Sequence, residues 1–484
     1  MLKIFNTLGR EQQVFIPIED KIVKMYQCGP TVYSVQHIGN MRAIVAGDLI
    51  VRALKYLGYE VKFVRNYTDF GHLTGDNIGD ADSGEDRMAK GAKKEGLTPD
   101  QVADKYIQQF ETDVNALNTI TPTVISRATN YIQEMIDMVK ILIDKGYAYV
   151  TPTAVFFEVD KFPNYTKLSG QNLEMNISGE GHGSISDSNK KKPYDFAIWF
   201  FKTGDHKNAL QFWQSPFHSN EVKNGEGFPG WHIECSAMIR KNLGDTIDIH
   251  MGGIEHIPTH HTNEIAQSES STGQKYVNYW LHNEHLLVDN NKMSKSEGRT
   301  YSLQDLKDKG YDPIALRYLF LQSQYRSKQN FTFEALESAQ ISLNRLRNGV
   351  DLLAKKVENI QSIRFNVDRV ARDQFINALE EDFNIPQALA ILWDTLKSNL
   401  SAETKLSTIL DFDKVLGLKL EEHIEQPREM NIPTEAKILL EERNIARIEK
   451  DFQKSDELRD KLKSEFGLMV KDTDNGQIID FNNK

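Results

Sequence analysis

The sequence predicts an α/β fold: a parallel-sheet core, interrupted by an inserted lobe and followed by a helical half. Three observations carry this. IVKMYQCG (22–29), NMRAIVAGDLIVRALKYLG (40–58) and EVKFVRNYTD (60–69) read as strand, helix and strand, the unit from which parallel sheets are built. The theme returns at GWHIECSAMIRKNLG (230–244), DTIDIHMGG (245–253) and HTNEIAQSESSTG (261–273), after a stretch rich in Gly, Ser, Asn and Lys. Beyond residue 300 the period becomes helical throughout.

In order along the chain, residues 22–29 form a strand closed by a Gly-Pro turn. Met41, Ile44, Val45, Leu49, Leu54 and Leu57 then mark one face of a helix ending at Gly58. Residues 67–97 are rich in Gly and Asp and read as a loop before a helix starting near Pro99. An amphipathic helix is expected from about Thr123 to Gly146, then strands in YAYVTPTAVFFEV (147–159). Residues 163–195 show little periodicity, and the lobe holding them is expected to end near 227. YVNYWLHNEHLLVDNNKMSKSEG (276–298) ends in a polar loop. Helices follow at 311–323, 336–357, 370–400 and 431–467, with Pro427 and Pro433 marking a linker into a small terminal module.

Composition narrows the function classes. With 484 residues and 39% hydrophobic content, the chain has enough apolar material for several cores, which excludes a mainly disordered protein. A net charge of −11 argues against a generally basic coat for duplex nucleic acid, while leaving room for a local basic channel. Two cysteines make no disulfide framework. The start MLKIFNTLGREQQ lacks a basic-then-apolar leader pattern, and no run approaches the roughly 18 apolar residues of a membrane span. A cytoplasmic protein with no membrane partner is expected.

Two signals point to a nucleotide. HIGN (37–40) follows a strand and turn and opens a helix, where N–H groups face an anion, Gly39 permits close approach and His37 can donate to phosphate. A histidine there also serves as an ordinary cap. KMSKS (292–296) places two lysines and two serines in a loop bounded by Asn290, Asn291 and Gly298. Such a loop can close on pyrophosphate and follow its developing charge, or be plain solvated surface. Together, at opposite ends of one α/β core, they are specific.

With these motifs the chain resembles the class I aminoacyl-tRNA synthetases, and within them the cysteinyl-tRNA synthetases. The resemblance rests on CGPTVYSVQHIGNMR (28–42), GFPGWHIECSAM (227–238), HHTNEIAQSE (260–269), YWLHNEHLLVDNNKMSKSEG (279–298) and ARIEKDFQKSDELRDKL (446–462). It implies a Rossmann-like catalytic core in two halves, 1–120 and 228–300, around a connective lobe at 121–227. A stem-contact region (301–365), a helical anticodon-binding bundle (366–430) and an anticodon-recognition module (431–484) follow. The implied activity uses ATP and magnesium to activate cysteine as cysteinyl-adenylate, releasing pyrophosphate, and then transfers the cysteine to the terminal adenosine of cysteine tRNA. A monomer is expected.

The implied site residues follow motif by motif. His37, Asn40, Lys292 and Lys295 carry the activation chemistry, with Lys295 foremost. Gly29, Thr31, Gly39, Gly252 and Gly253 join His37, Asn40 and Lys295 in contacting ATP, the HMGG segment (250–253) lying by the adenosine. Cys28, Cys235, His260 and Glu264 match the family's zinc ligands. From the residues alone the set is only suggestive: the types suit zinc, and His260 and Glu264 share a helix face, but the spacing is dispersed and each cysteine serves equally well as a buried small residue. The resemblance assigns zinc to holding the substrate thiol, with Cys28 and Trp231 beside the bound cysteine. A thiolate–metal bond can exceed the ~1–3 kcal/mol that apolar shape selection gives per small group, and the 121–227 insertion looks too short for an editing module. His261 is expected to point about 100° away from His260 and to play a supporting role. Arg447, Asp456 and Asp472 fall on anticodon-reading positions. Arg317, Arg326, Lys328, Arg345 and Arg347, against Glu334 and Glu337, are candidates for contact with the tRNA.

Three departures from the family pattern stand out. Asn40 replaces a second signature histidine. TDFGHLTGDNIGDADSGEDRM (68–88) inserts a Gly-hinged acidic loop. GQII (476–479) lacks a terminal aromatic that would stack on a base. Rival readings are a ligase joining cysteine to an amino sugar, a catalytically silent RNA-binding paralogue, and a generic ATP-using nucleotidyltransferase.

Overall fold

A hairpin of β1 (Lys3–Asn6) and β2 (Glu11–Val14) precedes β3 (Ile22–Gln27), the middle strand of the main sheet. α1 (Ile38–Tyr56) crosses to β4 (Glu60–Tyr67), which pairs parallel with β3 from Ile22↔Glu60 to Gln27↔Arg65. α2 (Arg87–Glu95) and α3 (Pro99–Ala116) lead to β5 (Val124–Arg127), parallel to β4. This computed structural model describes all residues except 72–85, 173–189, 293–299, 358–365, 425–433, 467, 474–475 and 482–484.

The expected helix from Thr123 to Gly146 is therefore two elements. Val124–Arg127 is a strand, and α4 (Ile132–Asp144) begins only after a short 3-10 turn. Four residues are too few to show a period, and their β-branched Val-Ile pair suits a strand beside Val64 and Arg65. The inserted lobe accordingly starts after α4, later than residue 121. Its five-stranded antiparallel sheet contains β6 (Ala148–Val150), β7 (Ala154–Phe157), β8 (Phe196–Phe201), β9 (Trp213–Gln214) and β10 (Glu226–Pro229), in the order β6-β7-β8-β10-β9. Because Gly227, Phe228 and Pro229 pair with β8, the lobe also runs past 227.

The core resumes with α5 (Trp231–Leu243), β11 (Ile247–Gly253), α6 (His260–Thr272) and β12 (Val277–Asn283). β11 pairs parallel with β3 on one side and β12 on the other, giving the order β12-β11-β3-β4-β5. A Rossmann-like sheet results, with its strand order reversing between β3 and β11. α1 is buried along most of its length, from Ile38 and Met41 through Val45 and Leu49 to Leu54, which explains why its apolar pattern is dense.

β13 (Leu286–Val288), β14 (Asn291–Lys292) and β15 (Gln329–Phe331) make a small sheet that flanks residues 293–299. α7 (Leu303–Asp308), α8 (Pro313–Leu321), α9 (Phe333–Ala354), α10 (Arg369–Glu380), α11 (Ile385–Lys397) and α12 (Ala402–Leu416) form the helical half. The compact units are Met1–Ile424 and Glu425–Lys484, so the expected break at 430/431 falls slightly late. Pro427 and Pro433 lie outside the described residues. The second unit consists of α13 (Thr434–Ile448), α14 (Phe452–Phe466) and a hairpin of β16 (Leu468–Thr473) and β17 (Gly476–Phe481) around Ala436, Leu440, Leu462, Leu468 and Val470. Among the described residues no helix is long and apolar enough to cross a membrane.

Candidate active site

Open parallel sheets bind ligands at the carboxyl edge where strand order reverses. Cys28 leaves β3 at that edge, its N–H donating to Met251 O at 3.0 Å. Cys235 lies on α5, and α6 opens with His260 directly above the sheet end. One ligating atom each from Cys28, Cys235, His260 and Glu264 falls within 4.8 Å of the others, and Cys28, His250, His261 and Glu264 form a second, overlapping set.

Neighbouring groups aim these donors. Glu264 Oε2 is held by Tyr276 OH at 2.9 Å and by His250 Nε2 at 2.9 Å. Its Oε1 lies 3.0 Å from His260 Nε2, yet this buried oxygen makes no hydrogen bond. His260 Nδ1 faces His232 Nδ1 at 3.1 Å, which turns Nε2 inward. The outer atoms are thus occupied and the inner ones converge, as in sites whose surroundings orient metal ligands. Two sulfurs, an imidazole nitrogen and a carboxylate oxygen suit zinc, so these residues fit that ion.

Charge follows from the same contacts. Burial alone would raise Glu264, but His250 and His260 hold it well below the usual carboxylate range. Burial opposes charge on His260, yet Glu264 and Cys28 raise it to about 10. Burial and the charge on His250 push His261 down to about 3. The cysteines move apart: burial pushes Cys28 up, but Cys235 and the histidines outweigh it and hold it low, whereas the contact with Cys28 and burial hold Cys235 high.

His261 stands beside the donor cluster. Its Nε2 lies 3.4 Å from Cys28 Sγ, and its Nδ1 lies 2.7 Å from His282 Nε2. The 100° rotation does not remove it from the site, because the first turn of α6 stands between α5 and the sheet. His260 faces α5, and His261 faces the strand ends. Gly252 matters to that placement: a Cβ there would lie 2.6 Å from His261 Cε1. His250, expected with HMGG beside the adenosine, instead reaches Glu264 and stacks on Trp280 with ring centroids 4.8 Å apart. His232, His256, His282 and Tyr276 were missed. The one signal, the density of histidine between residues 250 and 261, reaches only His256.

Trp231 is the first residue of α5 and stacks on His260, centroids 4.2 Å apart. Gly29 and Thr31 follow β3, with Thr31 bridged to Thr68, and Gly253 ends β11.

At the start of α1, His37 is the N-cap: its Nδ1 accepts from the Asn40 N–H at 3.2 Å, and Asn40 Oδ1 accepts from the His37 N–H at 3.2 Å. The cap therefore places the ring proton on Nε2 and makes His37 a donor as well. Gly39 lies in the first turn. Ile38 N–H donates to Tyr301 O at 2.8 Å, and His37 bridges Ser302. The chain flanking residues 293–299 is thus tied to β13 on one side, through Lys292, and to α1 on the other. Lys295 and the Lys292 side chain lie outside the described residues, as does most of the acidic 68–88 insertion.

Of the helical basic group, Arg317, Arg326 and Arg347 make ion pairs within the fold, while Arg326, Lys328 and Arg345 are exposed. Arg317 is fully buried and pairs with Asp48 at 2.6 Å. Arg326 pairs with Asp382 and Arg347 with Asp312, each at 2.6 Å. In the second unit, Arg447 lies in the last turn of α13, Asp456 on α14 pairs with Arg459 at 3.1 Å, and Asp472 sits on β16 opposite Gln477.

Comparison with known proteins settles the family. A family profile described as "tRNA synthetases class I (C) catalytic domain" matches residues 14–341, and one described as "Cysteinyl-tRNA ligase anticodon binding domain" matches 430–479. The chain belongs to the cysteinyl-tRNA synthetase family. Its relatives include the cysteine–tRNA ligase of Treponema denticola, 40% identical over 97% of this chain and 98% of that protein. Cysteine–tRNA ligase 1 of Burkholderia lata is 42% identical over 98% and 96%. A solved methionyl-tRNA synthetase from Mycobacterium tuberculosis, in complex with methionyl-adenylate, shares the fold with TM-score 0.56 at 15% identity, covering 83% of this chain and 91% of that one.

Proposed function

We propose that this chain is a cytoplasmic, monomeric cysteine–tRNA ligase. The cysteine carboxylate attacks the α-phosphorus of magnesium-bound ATP, the bond to the β-phosphate breaks, and pyrophosphate leaves. A ribose hydroxyl of the terminal adenosine of cysteine tRNA then takes the cysteinyl group, and AMP departs. The observation that carries this reading is the convergence of Cys28, Cys235, His260 and Glu264 at the sheet edge beside the segment leading to α1.

Each residue has a physical task. The α1 start offers the Gly39 backbone N–H, and His37 a ring N–H, to phosphate oxygens, while Asn40 keeps the cap that orients His37. Lys295, supported by Lys292, neutralises the charge that grows on the leaving pyrophosphate. Gly29, Thr31, Gly39, Gly252 and Gly253 line the approach of ATP. Cys28, Cys235, His260 and Glu264 would hold zinc, which when bound supplies a soft Lewis-acidic centre favouring a thiolate over a hydroxyl. Trp231 walls the bound cysteine and fixes His260 by stacking. Arg447, Asp456 and Asp472 read donor and acceptor edges of splayed anticodon bases. The profile match over 430–479 favours a tRNA acceptor over an amino sugar.

Pyrophosphate exchange followed by transfer tests this reading. Cysteine-dependent exchange and charging of cysteine tRNA are expected; exchange with transfer only to an amino sugar would overturn it.

A further inference from the structure

Arg42 lies on α1 just beyond the first turn and is 3% exposed. Its terminal nitrogens donate to backbone oxygens of two separate segments. Nη1 donates to Glu284 O at 2.7 Å and to His285 O at 3.0 Å. Nη2 donates to Gln324 O at 3.3 Å and to Ser327 O at 2.5 Å. Burial pulls Arg42 down to about 10, with the charge of Glu284 opposing, so the group stays a cation at neutral pH. A buried cation is costly unless it is bonded. A planar fork that meets four carbonyls fixes both the position and the angle of what it holds.

The two segments run directly into the small sheet. Residues 284–285 precede β13 and residues 324–327 precede β15, and these strands pair parallel from Leu286↔Gln329 to Val288↔Phe331. β13 pairs in turn with β14, where Leu287 stands opposite Lys292. The strand that leads into residues 293–299 is therefore referred to α1 through Arg42. Past those residues, Ile38 N–H bonds Tyr301 O and His37 bridges Ser302, so one helix holds the chain on both sides. The sheet side has grips of its own. Asp382 accepts from Tyr325 OH at 3.0 Å and from Arg326 Nε at 2.6 Å, and Glu284 N–H donates to Tyr325 O at 3.0 Å. Loss of Arg42 thus leaves the small sheet intact and frees its placement against α1.

We propose that Arg42 is a positioning residue for cysteine activation: it sets the distance and angle between the phosphate-facing start of α1 and the sheet that ends in Lys292. Arg42 touches neither substrate nor metal in this scheme. The proposal rests on the function reading above, in which His37, Lys292 and Lys295 act on the phosphates of ATP. A misplacement of ~1 Å is enough to cost ~100-fold in rate, and here the cost falls on the step in which pyrophosphate leaves. Cys28, Cys235, His260 and Glu264 take none of these four bonds, so capture of cysteine is spared.

The test compares Arg42→Lys, which keeps the cation but loses the fork, with Arg42→Met, which removes both. The readouts on the full chain are zinc content, pyrophosphate exchange, and single-turnover transfer to tRNA from preformed, enzyme-bound cysteinyl-adenylate. Arg42→Lys is expected to lower kcat for exchange about ten- to hundredfold. The KM for cysteine and the zinc content should stay within about twofold. Transfer from the preformed adenylate should also stay within about twofold, because pyrophosphate has already left. Arg42→Met should deepen the loss of exchange; if it does not fold, Arg42→Lys decides. Unchanged exchange in Arg42→Lys would overturn the proposal, as would similar losses of exchange, transfer and zinc, or an Arg42→Lys chain that fails to fold. Wild-type chain without cysteine-dependent exchange would instead overturn the function reading on which it rests.

Discussion

Two buried clusters of charged side chains, both within the first unit, behave in opposite ways. In the first, Arg317 gives Nε to Leu416 O at 2.7 Å, Nη1 to Leu117 O at 3.0 Å and Nη2 to Asp48 Oδ2 at 2.6 Å. Asp48 also receives Arg52 Nε at 2.9 Å and the Ile120 N–H at 2.6 Å. No polar atom of these side chains is left over. In the second, around Cys28 and Glu264, the buried atoms Glu264 Oε1, His250 Nδ1 and His256 Nδ1 make no hydrogen bond. A saturated cluster is joinery, here locking the middle of α1 to α8 and to the chain end of α12. An unsaturated one built around a converging set of metal-type donors is shaped for chemistry.

That contrast can be broken most severely at a proposed ligand. Cys235→Ala is expected to abolish stoichiometric zinc and to cut cysteine-dependent pyrophosphate exchange by more than the about 10–100-fold typical of losing a group that merely supports a ligand. Its effect on thermal stability should be the lesser one. Metal analysis paired with exchange and melting checks this; full activity with no zinc would end the distinction.

The reverse pattern belongs to the saturated cluster. Arg317→Met leaves Asp48 buried beside Arg52 alone and should cost about 3–5 kcal/mol of stability, read by denaturant unfolding. Zinc content of the folded fraction should not change. If stability holds and zinc falls, the two clusters are not separate devices.

A finer comparison lies at the start of α1, where one histidine is both cap and donor. His37→Ala should cost about 1 kcal/mol through loss of the cap and also slow adenylate formation. His37→Asn retains a good cap, so stability should return while the rate stays low. Recovery of both would reduce His37 to its capping role.

The smallest effect is expected in the second unit. Arg447→Ala should lower kcat/KM for tRNA by about tenfold, the scale of one lost charged contact, with pyrophosphate exchange unchanged. Equal loss in both assays would count against a role confined to the anticodon.

What the sequence made legible, and what it hid, follows the same physical divide. HIGN and KMSKS are contiguous, so residue order alone picks them out, whereas the four zinc-type residues are dispersed and became legible only through the resemblance of the motifs that hold them. β3, α1 and β4 were legible because long apolar periods survive burial on both sides. Val124–Arg127 was not, since four residues carry no period and their strand character comes from pairing with β4. The fate of Arg317 was hidden because its partner Asp48 lies 269 residues away on α1. The reach of His261 to Cys28 was hidden because helical geometry gives direction within a helix, while β3, β11 and β12 decide what stands in that direction.

The central claim is that the donor cluster selects cysteine by its thiol through a bound metal. The most direct measurement is pyrophosphate exchange with cysteine and serine in competition, on a preparation whose metal content is determined before and after chelation. The account predicts about one zinc per chain, exchange strongly selective for cysteine, and loss of that selectivity with the metal. Selective exchange that persists in zinc-free protein would contradict it.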